Sequence, residues 1–317
     1  MPPPTGPVLL SAPLPAAAMQ RLAAADVTVI VLDEPTQAAL LAALPGAAAV
    51  VLVGERPALD RAAIAAAPRL RLACRNGAGF DNFDVAALSA RGIPLVTTGD
   101  ANADAVAEHA IHLLLSVARR GPVHDREVRA GRWSRARGAV ELRDKTAAVV
   151  GWGRIGRRIG RLADAFGMRV LPVDPAHPDG PGLDAALRQA DAVILALALT
   201  PATHHLIDAA RLAQMKPSAI LVNVARGAVV DQTALAAALA AGRLAGAGLD
   251  VLEQEPPDPA DPLLALDRVV LSPHVAASCP EAVERVALAC AEAVVRGLAG
   301  DFAALSVVNP EVLGRRA

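Results

Sequence analysis

Along this chain, apolar runs of three to six residues alternate with longer stretches in which Ala and Leu recur among polar residues. The runs fall at 27–32, 49–53, 70–74, 147–150, 169–173, 192–196, 220–223, 248–251 and 269–271. A strand buried on both faces reads as a continuous apolar run, and its alternation with helical stretches predicts a doubly wound parallel α/β sheet. Turn residues carry the same message. Arg91-Gly92-Ile93-Pro94, Lys216-Pro217 and Gly242-Arg243 stand where helices must stop before the next strand.

The rhythm occurs three or four times in the first 100 residues, gives way to a helical stretch at 101–120 and a polar segment at 121–143, and restarts at Lys145. A last apolar helical stretch, 280–299, can fold back onto the first unit. At 317 residues the chain exceeds the roughly 100 to 200 of one domain, so two domains sharing a cleft are expected. The expected division is a discontinuous smaller domain, 1–100 plus 281–317, with a second domain, 101–280, inserted in it.

Composition then narrows the function. The chain is 54% hydrophobic but has no Tyr, two Trp and four Phe, so aliphatic side chains must fill the core. Lys and Arg number 31 against 32 Asp and Glu, with no basic run, which argues against a nucleic-acid partner. Cys74, Cys279 and Cys290 form no CxxC pair, which excludes a disulfide framework or a zinc site of ordinary spacing and implies a reducing compartment. The start, MPPPTGPVLL, has neither the basic residues nor the long apolar stretch of a signal peptide, and no apolar run reaches the roughly 20 residues that span a bilayer. A cytoplasmic protein without membrane or metal partner is expected.

The run 147–150 leads directly into Gly151-Trp152-Gly153-Arg154-Ile155-Gly156, and a helical pattern follows at 157–166. In a dinucleotide-binding turn the first glycine permits the tight bend, the second lets the backbone approach a pyrophosphate and the third lets helix and strand pack closely. The N–H groups of the helix N-terminus then face the phosphates. Glycine turns also occur for tight packing alone, so context decides. The next strand, 169–173, ends at Asp174, 18 residues past Gly156. An acid there can accept from the adenosine ribose hydroxyls and repels a 2′-phosphate, which favours NAD over NADP. Asp174, preceding Pro175, can alternatively start a turn.

Three charged residues stand beyond successive strands: Arg226 after 220–223, Glu255 after 248–251 and His274 after 269–271. In an open parallel sheet the carboxyl ends of the strands border the ligand crevice. Reduction of a carbonyl needs such a set. His274 as imidazolium can protonate the carbonyl oxygen, and a Glu255 carboxylate would raise its pKa and orient it. Arg226 can hold a substrate carboxylate and polarise the carbonyl. Singly, these read as a structural His, an acidic loop at Glu255-Pro256-Pro257 and a solvated turn at Arg226-Gly227. Jointly they describe an acid–base pair beside an Arg in a cofactor crevice.

At these residues the sequence resembles the D-isomer-specific 2-hydroxyacid dehydrogenases, which include phosphoglycerate dehydrogenases and glyoxylate or hydroxypyruvate reductases. The likeness runs from Arg71 to Pro310. Its stretches are NGAGFDNFDVAALSARGIPLVTT from Asn76, ADAVAEHAIHLLL from Ala103, GWGRIG from Gly151, LTPATHHLI from Leu199, MKPSAILVNVARGAVVD from Met215, AGAGLDVLEQEP from Ala245 and LSPHVAAS from Leu271. The resemblance implies a Rossmann-type NAD domain inserted in a smaller flavodoxin-like substrate domain. It gives Arg226, Glu255 and His274 the family's catalytic positions. Its cofactor contacts fall on Gly151, Gly153, Arg154, Ile155, Gly156, Asp174, Leu197, Thr203, Val224, Ala225, Arg226, Asp250, His274, Ala276 and Ala277. Asn76, Gly77, Ala78 and Gly79 match the substrate loop whose N–H groups hold the carboxylate, together with Arg226 and His274. A homodimer is implied, because segment 121–143, with Gly131-Arg132-Trp133, is similar to the family's dimer arm.

Some positions depart from the family pattern. Ala276-Ala277 replaces a small pair containing Gly, residues 196–199 lack the usual Pro-Leu, and Ala78 offers no hydroxyl. Arg75 matches a basic residue of phosphoglycerate dehydrogenases, yet Gly54-Glu55 stands where those enzymes place another Arg. A chain of this length is not expected to include a regulatory domain. Hydroxypyruvate and glyoxylate are therefore favoured over 3-phosphoglycerate. Rival readings are a formate or phosphite dehydrogenase on the same fold, the formate version disfavoured because it pairs its His with Gln, and a non-enzymatic NAD-sensing corepressor.

Overall fold

All nine apolar runs carry a strand in the computed structural model, which describes residues 6–133, 135 and 138–315. The first five residues of the N-terminal segment, Ser134, Ala136 and Arg137 of the 121–143 segment, and the last two residues lie outside the described residues. The chain forms two units, Met1–Asn102 with Pro280–Ala317, and Ala103–Cys279.

The first unit begins with β1 (Val8–Leu10), α1 (Ala16–Ala23), β2 (Val29–Val31), α2 (Gln37–Ala43), β3 (Ala49–Val53), α3 (Arg61–Ala65), β4 (Leu72–Asn76), α4 (Val85–Ala90) and β5 (Leu95–Thr97). These strands are parallel in the order β2-β1-β3-β4-β5. Asp60 and Asp84 cap α3 and α4 by accepting from Ala63 N and Ala87 N at 2.8 Å. Five strands exceed the three or four repeats expected. β1 is a short apolar run among prolines and β5 has three residues, so both resemble loop in the linear pattern. β4 lies two residues later than 70–74, so Asn76 ends the strand.

The second unit contains α5 (Ala103–Ala118), α6 (Gly121–Arg129), β6 (Thr146–Val150), α7 (Arg154–Ala165), β7 (Arg169–Val173), α8 (Leu183–Gln189), β8 (Ala192–Leu195), α9 (Ala209–Gln214), β9 (Ile220–Asn223), α10 (Gln232–Ala240), β10 (Gly246–Leu249) and β11 (Val269–Leu271). Its sheet is wholly parallel, in the order β7-β6-β8-β9-β10-β11. Neighbouring residues point to opposite faces. Val150, Leu195 and Leu221 join the core with α8, α9 and α10, whereas Val149, Ile194 and Val222 join the core with α5 and α7. Strand order reverses between β6 and β8, and the carboxyl ends flanking that switch point are where such sheets bind ligands. The polar segment at 121–143 is helical over Gly121–Arg129. β10 starts at Gly246, because its register with Ile220 of β9 recruits glycines that the apolar pattern passes over.

The chain then returns to the first unit. α11 (Pro280–Ala299) buries Ala282, Val286, Cys290, Val294 and Leu298 along one stripe and shares a core with α1. β12 (Ser306–Val307) adds antiparallel to β5. Nothing in two residues announces a strand. Asn309 holds it in place, its side chain accepting from Leu95 N at 2.8 Å and donating to Ile93 O at 2.9 Å.

Candidate active site

Gly151 leaves β6 at φ +92°, a region closed to most side chains, and a Cβ there would lie 2.5 Å from the Ala196 carbonyl oxygen beyond β8. A Cβ on Gly156 would collide with the Gly151 carbonyl oxygen. A Cβ on Gly153 would meet nothing within 4 Å, so the turn is open at the glycine whose backbone has to meet a pyrophosphate. α7 starts at Arg154, three residues before the sequence pattern suggests, because close packing at Gly156 outweighs the poor helix propensity of glycine. Arg154 and Ile155 thus stand in its first turn, whose N–H groups no side chain caps.

Asp174 follows β7 directly. Its Oδ2 accepts from Trp152 N and its Oδ1 from Ala176 N, both at 2.8 Å. The residue therefore does start a turn, and the same carboxylate is held against the glycine loop with lone pairs left for ribose hydroxyls. These residues fit a dinucleotide. Leu197 lies just past β8, half-buried. Thr203 folds the following loop, its hydroxyl donating to Ala198 O and accepting from Thr200 N, both at 2.7 Å.

Past β9, Val224 and Ala225 are buried and Arg226 is half-buried. Their turn is shaped by Asn223, a residue the motif reading passed over. Its side chain donates to Arg226 O at 2.9 Å and accepts from Ala225 N at 3.0 Å. A strand-end Asn before a turn was the available signal. Beyond β10 and β11, His274 Nδ1 and Glu255 Oε2 share a hydrogen bond of 2.8 Å, and Leu252 N donates to Glu255 Oε1 at 3.0 Å. Burial pushes the Glu255 carboxyl up. The His274 and Leu252 hydrogen bonds, with the charges of His274 and Arg226, outweigh that and hold it below the usual range. An ionised Glu255 at Nδ1 stabilises imidazolium at His274.

The family profile described as "D-isomer specific 2-hydroxyacid dehydrogenase, NAD binding domain" matches residues 111–276. The chain is 41% identical over 280 residues to D-3-phosphoglycerate dehydrogenase of Mycobacterium tuberculosis, covering 85% of this chain and 53% of that one. It is 40% identical over 283 residues to glyoxylate reductase of Pyrococcus furiosus, covering 84% and 83%. The solved structure of a glyoxylate reductase from Paecilomyes thermophila superposes with a TM-score of 0.89 at 31% identity, covering 98% and 100%. The chain belongs to the D-isomer-specific 2-hydroxyacid dehydrogenase family. It therefore carries that family's NAD-binding domain. The chain spans about half the length of the phosphoglycerate dehydrogenases it matches. No helix among the described residues is long and apolar enough to cross a membrane.

Asp250, assigned to the cofactor by resemblance, is 2% exposed, and its oxygens accept from Ser272 Oγ, Val275 N and Ala276 N. The structure thus gives it an internal task, holding the turn in which Ala276 and Ala277 lie. The stretch Asn76, Gly77, Ala78 and Gly79 belongs to the first unit, at the carboxyl end of β4. Gly77 takes φ +146°, and its carbonyl accepts from Thr98 N at 3.1 Å. Beside it, Arg75 donates to Gly54 O and pairs with Glu55 Oε1 at 2.9 Å, so the acidic departure meets the basic residue directly.

Proposed function

We propose that this chain catalyses the reversible reduction of a small 2-keto acid to its D-2-hydroxy acid with NADH, hydroxypyruvate and glyoxylate being the preferred substrates. The 2.8 Å His274–Glu255 hydrogen bond, with Arg226 close enough to act on the same carboxylate, carries this reading. The bound reduced cofactor supplies the hydride that the carbonyl carbon accepts. His274 gives the carbonyl oxygen a proton from Nε2 and is left neutral beside Glu255, to be reprotonated from solvent. Arg226 grips the substrate carboxylate and polarises the carbonyl, and the backbone of Asn76, Gly77, Ala78 and Gly79 provides further donors. Glu55 neutralising Arg75 disfavours a 3-phosphate.

Asp174 supports NAD over NADP, because its carboxylate would repel a 2′-phosphate. Cysteine usage supports the cytoplasm. Segment 121–143 exposes Val128 and Trp133, the latter at 79%, which suits a homodimer arm. Steady-state rates with hydroxypyruvate, glyoxylate, pyruvate and 3-phosphohydroxypyruvate, each with NADH and NADPH, test the reading. Turnover should be highest with NADH and one of the first two acids. Inertness toward every 2-keto acid, with oxidation of phosphite or formate instead, overturns it.

A further inference from the structure

We propose that His109 and Ser272 are positioning residues for His274, acting through Asp250. His274 has φ +54°, a left-handed conformation that a non-glycine residue keeps only where its surroundings over-determine it. Asp250 does so. Its main-chain oxygen accepts from His274 N at 2.8 Å, and Oδ1 and Oδ2 accept from Val275 N and Ala276 N, each at 2.9 Å. The turn hangs on one carboxylate, which is only as fixed as its remaining partners. Those are Ser272 Oγ, donating to Oδ1 at 2.6 Å, and His109 Nε2, 2.8 Å from Ser272 Oγ and 3.3 Å from Asp250 Oδ1. Ser272 has a single hydroxyl hydrogen and gives it to the carboxylate. Its oxygen must therefore accept from His109, which then carries a hydrogen on Nε2.

The packing that delivers His109 is equally specific. A Cβ on Gly248 would lie 2.9 Å from Leu113 Cβ, so α5 lies directly on β10. His109 is one helical turn before Leu113 and Asp250 is two residues beyond Gly248, so both reach the carboxyl end of the strand. The His109 and Asp250 side chains are 18% and 1% exposed, which leaves little room for water to replace a lost donor. The charged and titratable groups near His274 include Glu255 at Nδ1, Arg226 through Glu255, and Asp250 beneath the turn with His109 behind it.

The inference rests on the reading of His274 as proton donor. It is tested in the full chain with His109→Leu, Ser272→Ala and His109→Gln, the last restoring an N–H donor. His109→Leu should lower kcat by about 100-fold, the cost of a small misplacement at the reacting centre, with NADH affinity unchanged. The alkaline limb of its kcat profile should move to lower pH, because a His274 held less well against Glu255 loses its proton more readily. Ser272→Ala should move the limb the same way, and His109→Gln should recover most of both losses. An NMR titration of His274 reads the same shift without turnover. The proposal is overturned if the Leu and Ala variants keep the wild-type limb and His274 titration, whatever their melting temperature, or if Gln falls as far as Leu. Wild-type inertness toward all 2-keto acids would count against the proposed function, and the titration would still decide the positioning role.

Discussion

Two turns at the carboxyl edge of the second sheet are built in opposite ways. The turn from Gly151 to Gly156 is made by removing side chains: at Gly151 and Gly156 neighbouring backbone fills the space that a Cβ would need. The turn from Ser272 to Ala277 is made by adding one, since the Asp250 carboxylate gathers Val275 N, Ala276 N and the Ser272 hydroxyl and thereby holds His274 at φ +54°. The first kind tolerates no substituent where packing is closest. The second tolerates no change in hydrogen bonding. The difference suits the proposed tasks, because a phosphate cradle needs bare N–H groups whereas a proton donor needs a side chain aimed in one direction.

The largest effects should come from the side chains that the second turn aims. His274→Ala removes the proposed proton donor and should lower kcat about 1,000-fold, near 4 kcal/mol in barrier, while NADH binding measured by fluorescence persists. Arg226→Ala should do comparable damage to kcat/KM. Near-normal turnover in either variant would remove it from the catalytic set.

Glycine substitutions break the comparison from the other side. Gly156→Ala drives a Cβ into the Gly151 carbonyl and should cost about 3 kcal/mol of stability, read by chemical denaturation. Gly153→Ala fits the protein, since nothing lies within 4 Å, so stability should hold and NADH affinity should fall. If Gly153→Ala binds NADH normally, the cofactor does not approach that backbone.

These contrasts explain how much was legible in the sequence. Buried parallel strands announced themselves as apolar runs, and Arg226, Glu255 and His274 were visible because each follows a strand within a few residues. The glycine turn and Asp174 were visible for the same reason, since their roles depend on local order. Asn223, Ser272 and His109 were not singled out. The role of His109 depends on a partner 163 residues away, and no local pattern encodes which side chain α5 will set beside β10. Asp250 was assigned by resemblance to the cofactor, and its burial among protein donors became evident only from the fold.

Asp250 offers the next effect in size. Burial pushes its carboxyl up, but the His109 and Ser272 side chains and the Val275 and Ala276 N–H groups pull it down to about 2 from an ordinary 3.8. A carboxyl depressed in the folded state contributes stability above its unfolded value and loses that contribution as pH falls through the folded value. The depression corresponds to about 2 kcal/mol, present at neutral pH and lost between roughly pH 4 and pH 2. Asp250→Asn presents an N–H to a site already full of donors and should be less stable by about that amount at pH 7. Its deficit should shrink as denaturation is repeated at lower pH. A deficit independent of pH would mean that shape, and not charge, holds the turn.

The smallest effect separates charge from geometry in the first turn, where the Asp174 side chain accepts from Trp152 N while the Arg157 guanidinium donates to Trp152 O. Its Oδ2 braces Trp152 N at 2.8 Å, so Asp174→Ala removes both a charge and a brace, whereas Asp174→Asn removes the charge and keeps an acceptor for the same N–H. Repulsion between this half-exposed carboxylate and a 2′-phosphate is worth about 1.4 kcal/mol, or tenfold in the ratio of kcat/KM for NADPH to that for NADH. If charge sets the preference, Asp174→Asn should shift the ratio as far as Asp174→Ala does, and raised salt should shrink the wild-type discrimination. If the brace sets it, only Asp174→Ala should move the ratio, and that variant should also lose NADH affinity. An unchanged ratio in both variants would take cofactor choice away from Asp174.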